Sequence, residues 1–354
     1  MAVTLDYEEI GAQLARLFME TGKFPTINSQ LTQLWGVRPP AALFRLQQAV
    51  KQGYVAYYQN GNERGHYHPT AKALVAAHER GWIKLRGSGR PRPVVAIYSE
   101  AGGVGKSTLA REMAVAAARA GLRVLVIDTD AQATLTEWLL GESKDDVQEN
   151  DTILPVFNGQ ALPEPKKSSY GPDVIPAHRS LGELESVIRN ALGGTAALRF
   201  ALERLGDYDL IVLDTRGGEG AAVNAALTAS NLLIAPLQTS LKGLQGVVLV
   251  KDYAKKQAMF AGLDDAFLGV VPFMYRPRGT ADASIYDTLA AVLEETPGRL
   301  FSPVHMRPGL FRNAELEGPL GFDGPTAGDI HFAVAQILTE IAQRRNLIGG
   351  ASHG

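Results

Sequence analysis

The chain has no cysteine among its 354 residues. That absence excludes disulfides, thiolate zinc sites and cysteine-ligated iron–sulfur clusters. It also lacks any uninterrupted apolar run approaching the roughly 20 residues that span a bilayer. The longest candidate, around Asn231–Pro236, is strand-sized. No apolar stretch follows a basic start, as a signal peptide requires. The expectation is therefore a soluble cytoplasmic protein with no membrane partner. Charged residues are modest at 20% while apolar residues reach 45%, which supplies a core and argues against disorder. The length exceeds one ordinary domain, so two units are expected.

Net charge is −2, unevenly placed. The first 92 residues carry 12 Lys and Arg against 6 Asp and Glu, a net of +6, leaving −8 on the remainder. A basic unit on an acidic body suggests an anionic partner for the first part, with an ordinary solvated surface as the alternative. Between the two, Arg86-Gly-Ser-Gly-Arg-Pro-Arg-Pro93 reads as a linker punctuated by Gly and Pro. The expected organisation is a domain over 1–86, a linker over 87–93, a second domain over 94–346 and a flexible tail over 347–354.

Before the linker the pattern predicts helices over Tyr7–Glu20, Ile27–Trp35 and Pro39–Gln52, with Leu43, Leu46 and Val50 facing inward. Strands follow over Tyr54–Tyr58 and His66–His68, separated by Asn60-Gly61-Asn62 turn chemistry. A fourth helix over Thr70–Arg80 is expected to be capped by Thr70. After the linker, continuous apolar strands alternate with helices: Pro93–Tyr98, Arg123–Asp128, Asp173–Ile175, Asp209–Leu213, Leu232–Ala235 and Phe267–Val271. Such strands imply an α/β fold, a parallel sheet with helices on both faces. Its ligands bind at the carboxyl ends of the strands. The final helix, from about Asp329 to Arg345, is expected to pack on that sheet.

Directly after the first of these strands comes Ser99-Glu-Ala-Gly-Gly-Val-Gly-Lys-Ser-Thr108. Glycines in a strand-to-helix turn let backbone N–H groups approach phosphate oxygens, and the helix terminus adds positive potential. ATP is the expected ligand, cradled by Gly102, Gly103, Val104, Gly105, Lys106, Ser107 and Thr108. Lys106 reaches the β- and γ-phosphates, and Ser107 supplies a hydroxyl to Mg2+. Asp128-Thr-Asp130 and Asp214 end two further strands, where carboxylates meet the phosphates. One should hold Mg2+, directly or through a bound water, and another should orient the attacking water.

On these residues the chain resembles the ParA/MinD family of deviant Walker ATPases from roughly Pro93 to Arg345. GGVGKST is the deviant P-loop. Asp128-Thr-Asp-Ala-Gln132 resembles switch I, usually DxDPQ, and Tyr208–Thr215 resembles the Walker B segment. The resemblance implies an ATP-dependent sandwich homodimer, nonspecific DNA binding on the nucleoid, and weak hydrolysis stimulated by a ParB- or McdB-like adaptor. It assigns phosphate contact to Lys106, water alignment to Asp130, support to Asp128 and Mg2+ to Ser107 and Asp214. The family's signature lysine falls at Ala101, and switch II reads Asp214-Thr-Arg-Gly217 rather than DxPP. McdA, the carboxysome-positioning relative, lacks that lysine in some members and uses a later one. Lys242, expected in a loop at the site's rim, is the candidate substitute, with an ordinary surface lysine as the alternative.

The N-terminal order of helices and strands resembles a winged helix-turn-helix of the LexA and MarR type. Arg38, Arg45 and Gln48 on its third helix are candidates for major-groove or phosphate contacts, and Asn62 and Arg64 for wing contacts. Dimerisation or partner contact is the alternative use of such a unit. Family dimers bind the DNA backbone through basic residues of the C-terminal third, where Arg276 and Arg278 lie with Arg299, Arg307 and Arg312. The resulting expectation is plasmid partition with operon autorepression. Carboxysome positioning and an ATP-sensing transcription regulator are the alternatives.

Overall fold

The computed structural model describes residues 6–21, 30–58, 66–83, 92–276, 280–294, 298–307, 309 and 328–344, without the side chains of residues 260, 261 and 280. The chain divides into two compact units, one comprising Met1–Arg90, Arg119–Gly121 and Leu320–Gly354, the other Pro91–Ala118 and Leu122–Pro319.

The first unit begins with α1 (Tyr7–Thr21), α2 (Thr32–Trp35) and α3 (Pro39–Lys51). An antiparallel pair follows, β1 (Val55–Tyr58) with β2 (His66–Pro69), then α4 (Ala71–Glu79). Apolar spacing on α1 buries Ile10 and Leu14 against Leu31, Trp35, Ala42, Leu46 and Val55, and Phe18 is buried on the same helix. Arg80, just past α4, pairs with Glu8 and Asp6 at the start of α1.

Three expectations change here. Leu43 is exposed, because the inward stripe of α3 runs through Ala42, Leu46 and Ala49. Thr70 stands at the N-cap of α4, but its hydroxyl donates to Gly53 O at 2.7 Å and caps nothing. The last helix, α13 (Gly328–Arg344), does not join the parallel sheet but belongs to this first unit, against α4, β1 and β2. Phe332 lies 4.3 Å from the His68 ring, centroid to centroid, and Thr339 Oγ1 lies 3.2 Å from Met19 Sδ. Most of the expected linker, Asn62, Arg64, Arg278, Arg312 and the expected tail lie outside the described residues.

The second unit is built on nine strands in the order β10-β9-β8-β3-β7-β4-β6-β5, with β11 beside β9. In chain order these are β3 (Val94–Ile97), β4 (Val124–Asp128), β5 (Lys166–Lys167), β6 (Asp173–Ile175), β7 (Leu210–Asp214), β8 (Leu232–Gln238), β9 (Phe267–Tyr275), β10 (Arg299–Leu300) and β11 (Val304–His305). Every pairing is parallel except β5 with β6 at one edge. The central strands are buried along their whole length, as all-apolar segments covered on both faces must be. The covering helices used below are α5 (Lys106–Arg119), α6 (Thr134–Leu140), α7 (Leu154–Phe157), α8 (Leu184–Asn190), α9 (Ala197–Glu203), α10 (Ala221–Ala229), α11 (Leu241–Ala261) and α12 (Thr280–Glu294). No helix among the described residues is long and apolar enough to cross a membrane.

Candidate functional site

The loop between β3 and α5 rises at the carboxyl end of the central strand. Gly103 and Gly105 adopt φ of +67° and +93°, which a side chain resists. At Gly105 a Cβ would also lie 2.5 Å from the Phe273 ring, so this turn admits glycine alone. Ala101, Gly102 and Gly103 are exposed along the rim, while Val104 is buried beneath them. α5 starts at Lys106, bringing its N-terminal turn, Ser107 and Thr108 to the same place. A helix N-terminus opened by such a turn has the form of an anion-binding site.

Lys106 is 7% exposed, and its Nζ donates to Ala101 O at 2.8 Å. Burial lowers its pKa, while the charges of Asp214 and Asp130 pull it upward. The carboxylates come from β7, which pairs with β3, and from β4 on the far side of β7. Asp128 and Asp214 are register partners at the ends of β4 and β7, and both are fully buried. Asp128 is well bonded: it accepts from Asp130 N at 3.1 Å, Thr136 N at 3.0 Å and Thr136 Oγ1 at 2.8 Å. Burial nevertheless pushes its carboxyl up to about 6. Asp214 fares worse: among the described residues neither of its buried oxygens meets a partner within hydrogen-bond geometry. Burial, then the Asp128 charge, raises it well above the ordinary carboxylate range. The nearby Ser107 hydroxyl and Lys106 ammonium only partly oppose that shift.

Two buried, partnerless carboxylate oxygens beside a serine hydroxyl suit a hard divalent cation. Among the described residues no group of three or more His, Cys, Asp or Glu forms a metal cage. Mg2+ is usually held by one or two protein oxygens together with substrate phosphates. Ser107 and Asp214 would hold it.

A family model described as an AAA domain matches residues 92–259. The probable plasmid-partitioning protein ParA of Thermus thermophilus is 31% identical over 240 residues, covering 66% of this chain and 73% of that protein. The chain belongs to the ParA/MinD family of P-loop ATPases. The maintenance of carboxysome distribution protein A of Synechococcus elongatus is 26% identical over 230 residues, covering 63% of this chain and 89% of that protein. Among solved structures, apo McdA of Cyanothece superposes with a TM-score of 0.61 at 20% identity, covering 69% of this chain and 97% of that one. That last likeness speaks to the fold.

The residues expected to form the site, Gly102, Gly103, Val104, Gly105, Lys106, Ser107, Thr108, Asp128, Asp130 and Asp214, lie together around one loop. Asp130 sits in the turn after β4, its Oδ1 accepting from Gln132 N at 3.0 Å. Lys242 is not in a loop. It is exposed on the first turn of α11, which Ser240 opens by accepting from Gly243 N at 3.1 Å. Arg276 is exposed just after β9. In the first unit Arg38 is exposed before α3, whereas Arg45 and Gln48 are half-buried on it.

Several residues that shape this site carry no motif. Thr136 links Asp128 to the end of β6, its Oγ1 accepting from Ala177 N at 2.8 Å. Tyr98 donates from its hydroxyl to Gly218 O at 3.1 Å, and Gly218 N donates to Glu100 O at 2.9 Å, so the loop after β7 is fixed on the phosphate loop from both sides of one residue. Glu185 on α8 accepts from Ala221 N and Ala222 N and so caps α10 from 36 residues away. Only Arg216, as a departure from the usual switch II, gave a signal in the sequence.

Proposed function

We propose that this ATPase forms ATP-dependent homodimers on DNA and uses weak, partner-stimulated hydrolysis to segregate a plasmid. The observation that carries the reading is the buried pair Asp128 and Asp214 opposite Lys106, in a chain 31% identical over 240 residues to a probable plasmid-partitioning protein.

In this reading Gly102 to Thr108 hold the triphosphate through backbone N–H groups, and Lys106 leaves Ala101 O for the β- and γ-phosphates. Ser107 and Asp214 would hold Mg2+, which would supply charge neutralisation to the triphosphate. Asp130 aligns a water whose oxygen bonds to the γ-phosphorus. The bond from that phosphorus to the bridging oxygen breaks, its electron pair leaves with ADP, and the water's proton ends on phosphate. Asp128, held by Thr136, keeps the loop bearing Asp130 in place.

The dimer is supported by the head of α11, where Leu241 and Val248 are 74% and 63% exposed on one face beside Lys242. Lys242 would reach the nucleotide of the second subunit in place of the lysine missing at Ala101. The first unit is read as a winged helix that binds an operator through Arg38, Arg45, Gln48 and Arg64. Arg276 and Arg278 join the nonspecific DNA surface, and a ParB-like adaptor triggers release from the nucleoid. Carboxysome positioning with a McdB-like adaptor is the second reading, favoured by the Synechococcus relative together with Lys242.

The test is sedimentation of the full chain with ADP, ATP or a slowly hydrolysed ATP analogue, paired with DNA binding across a salt series. The reading expects dimers and DNA affinity with ATP alone, with each phosphate contact adding about −0.9 to the slope of log affinity against log salt. A monomer under every nucleotide, or DNA affinity indifferent to nucleotide, would refute it.

A further inference from the structure

The loop that leaves Asp214 carries an arginine that no step so far uses. Its placement is constrained. Gly217 lies so close to the phosphate loop that a Cβ there would be 3.1 Å from Glu100 O and 3.2 Å from Lys106 Nζ. Gly218 is bonded through both its N–H and its carbonyl. Arg216 therefore projects from a backbone already docked beside the P-loop lysine. Its guanidinium is half-buried, with Nη2 at 3.7 Å from Glu185 Oε1.

That ion pair is long, and Glu185 does not depend on it. The carboxylate already takes Ala221 N at 2.5 Å and Ala222 N at 3.1 Å, at the positive end of α10. Losing Arg216 would leave Glu185 with two charge-assisted bonds, so the arginine can depart at little cost. The phosphate end of the site, by contrast, is crowded with negative charge. Asp128, Asp130 and Asp214 converge on it, and the triphosphate adds more. A planar, permanently charged donor with paired N–H groups is the side chain best matched to phosphoryl oxygens. With the backbone held at Gly217 and Gly218, the long side chain of Arg216 re-aims through its own torsions.

We propose that Arg216 is a γ-phosphate ligand, held on Glu185 in the nucleotide-free chain and transferred to the γ-phosphate oxygens when ATP binds. This rests on the ATPase reading above. Arg216 donates hydrogen bonds as charge moves toward the bridging oxygen during attack by water, and it gives up no proton. It strengthens its hold as the bond to ADP breaks, so it favours turnover over ground-state binding.

The test uses the full chain carrying Arg216→Ala, Arg216→Lys or Glu185→Gln, with kcat, ATP affinity and affinity for ADP with aluminium fluoride. The expected result for R216A is a fall of about 10²-fold in kcat and a comparable fall in affinity for ADP–aluminium fluoride, with ATP affinity within about threefold. R216K should recover part of both losses. E185Q removes the parking charge and keeps one of the two acceptors on α10, so its kcat should match or exceed that of the wild type even if its melting temperature falls. Wild-type kcat in R216A would overturn the proposal. So would an equal loss in E185Q, which would make Arg216 merely a brace for the loop. Failure of the wild-type chain to bind ATP would instead refute the ATPase reading itself.

Discussion

Asp128 and Asp214 stand opposite each other at the ends of adjacent parallel strands, both fully buried, and among the described residues Asp128 is the better bonded of the two. Two carboxylates so placed repel, and without a cation the fold carries them at a cost. The raised Asp128 pKa of about 6 means that the folded state holds a proton the unfolded chain has already released. Its stabilising contribution is complete below the unfolded value near 4 and is lost as pH rises through 6. Asp214→Asn removes one charge from the pair. It should raise the apo melting temperature at pH 7 by several degrees, with the gain shrinking toward pH 4. The same variant should lose the additional stabilisation that Mg2+ gives with ATP. Calorimetry across pH, with and without nucleotide, checks both halves.

The first unit should respond to acid in the opposite sense. His68 is buried against Phe332, and burial lowers its pKa to about 3, with His66 adding to the effect. A depressed histidine contributes stability above the unfolded value near 6.5 and loses it as pH falls. Between pH 7 and pH 5 that loss is about 2 kcal/mol. Trp35 and Trp82 belong to this unit and Trp138 to the other, which offers separate fluorescence signals. Acidification should lower the transition reported by the first pair, and His68→Phe should flatten that dependence.

Lys106→Ala tests the phosphate grip. The ammonium now rests on Ala101 O, so the variant loses a contact that the P-loop backbone can replace with water. Removing the ammonium also strips Asp130 and Asp214 of a nearby opposing charge, so the melting temperature should fall as well. Hydrolysis should fall by at least about 10²-fold, the usual cost of removing a positioned donor from developing charge. A variant that turned ATP over normally would remove Lys106 from the site.

Much of this architecture could be read from residue order because each signal was local. Val-Leu-Val-Ile-Asp128 reads as a doubly covered strand, and Gly-Gly-Val-Gly-Lys106 reads as a phosphate turn. What escaped was non-local. The apolar pattern of Phe332, Ile337, Leu338 and Ile341 predicts a buried face but does not name the surface that buries it, and the helix joined α4 and the β1–β2 pair. The cap that Glu185 places on α10 joins residues 36 and 37 apart in a pattern no spacing rule contains. On α3 the apolar residues outnumber the buried stripe, so Leu43 looked as eligible as Ala42.

Gly105 should be the least replaceable glycine of the loop. Alanine there meets both a φ of +93° and the Phe273 ring. Gly105→Ala should cost about 1–3 kcal/mol from the backbone conformation, before any contribution from the ring. Shrinking the ring with Phe273→Leu should relieve the clash and leave the backbone penalty, so the double variant should recover only part of the loss in a denaturant titration.

The N-terminal unit should depend on the far end of the chain. α13 buries Ile330, Phe332, Val334, Ile337, Leu338 and Ile341, and its partners include His68, β1 and α4. Phe332→Ala should destabilise this unit by about 3 kcal/mol through the cavity it leaves beside the His68 ring. Residues 1–90 expressed alone should form a loosened unit with poorly dispersed amide resonances. Supplying residues 328–344 on a flexible linker should restore dispersion. If the isolated fragment proved as well ordered without that helix, the burial on α13 would contribute nothing to the unit's stability.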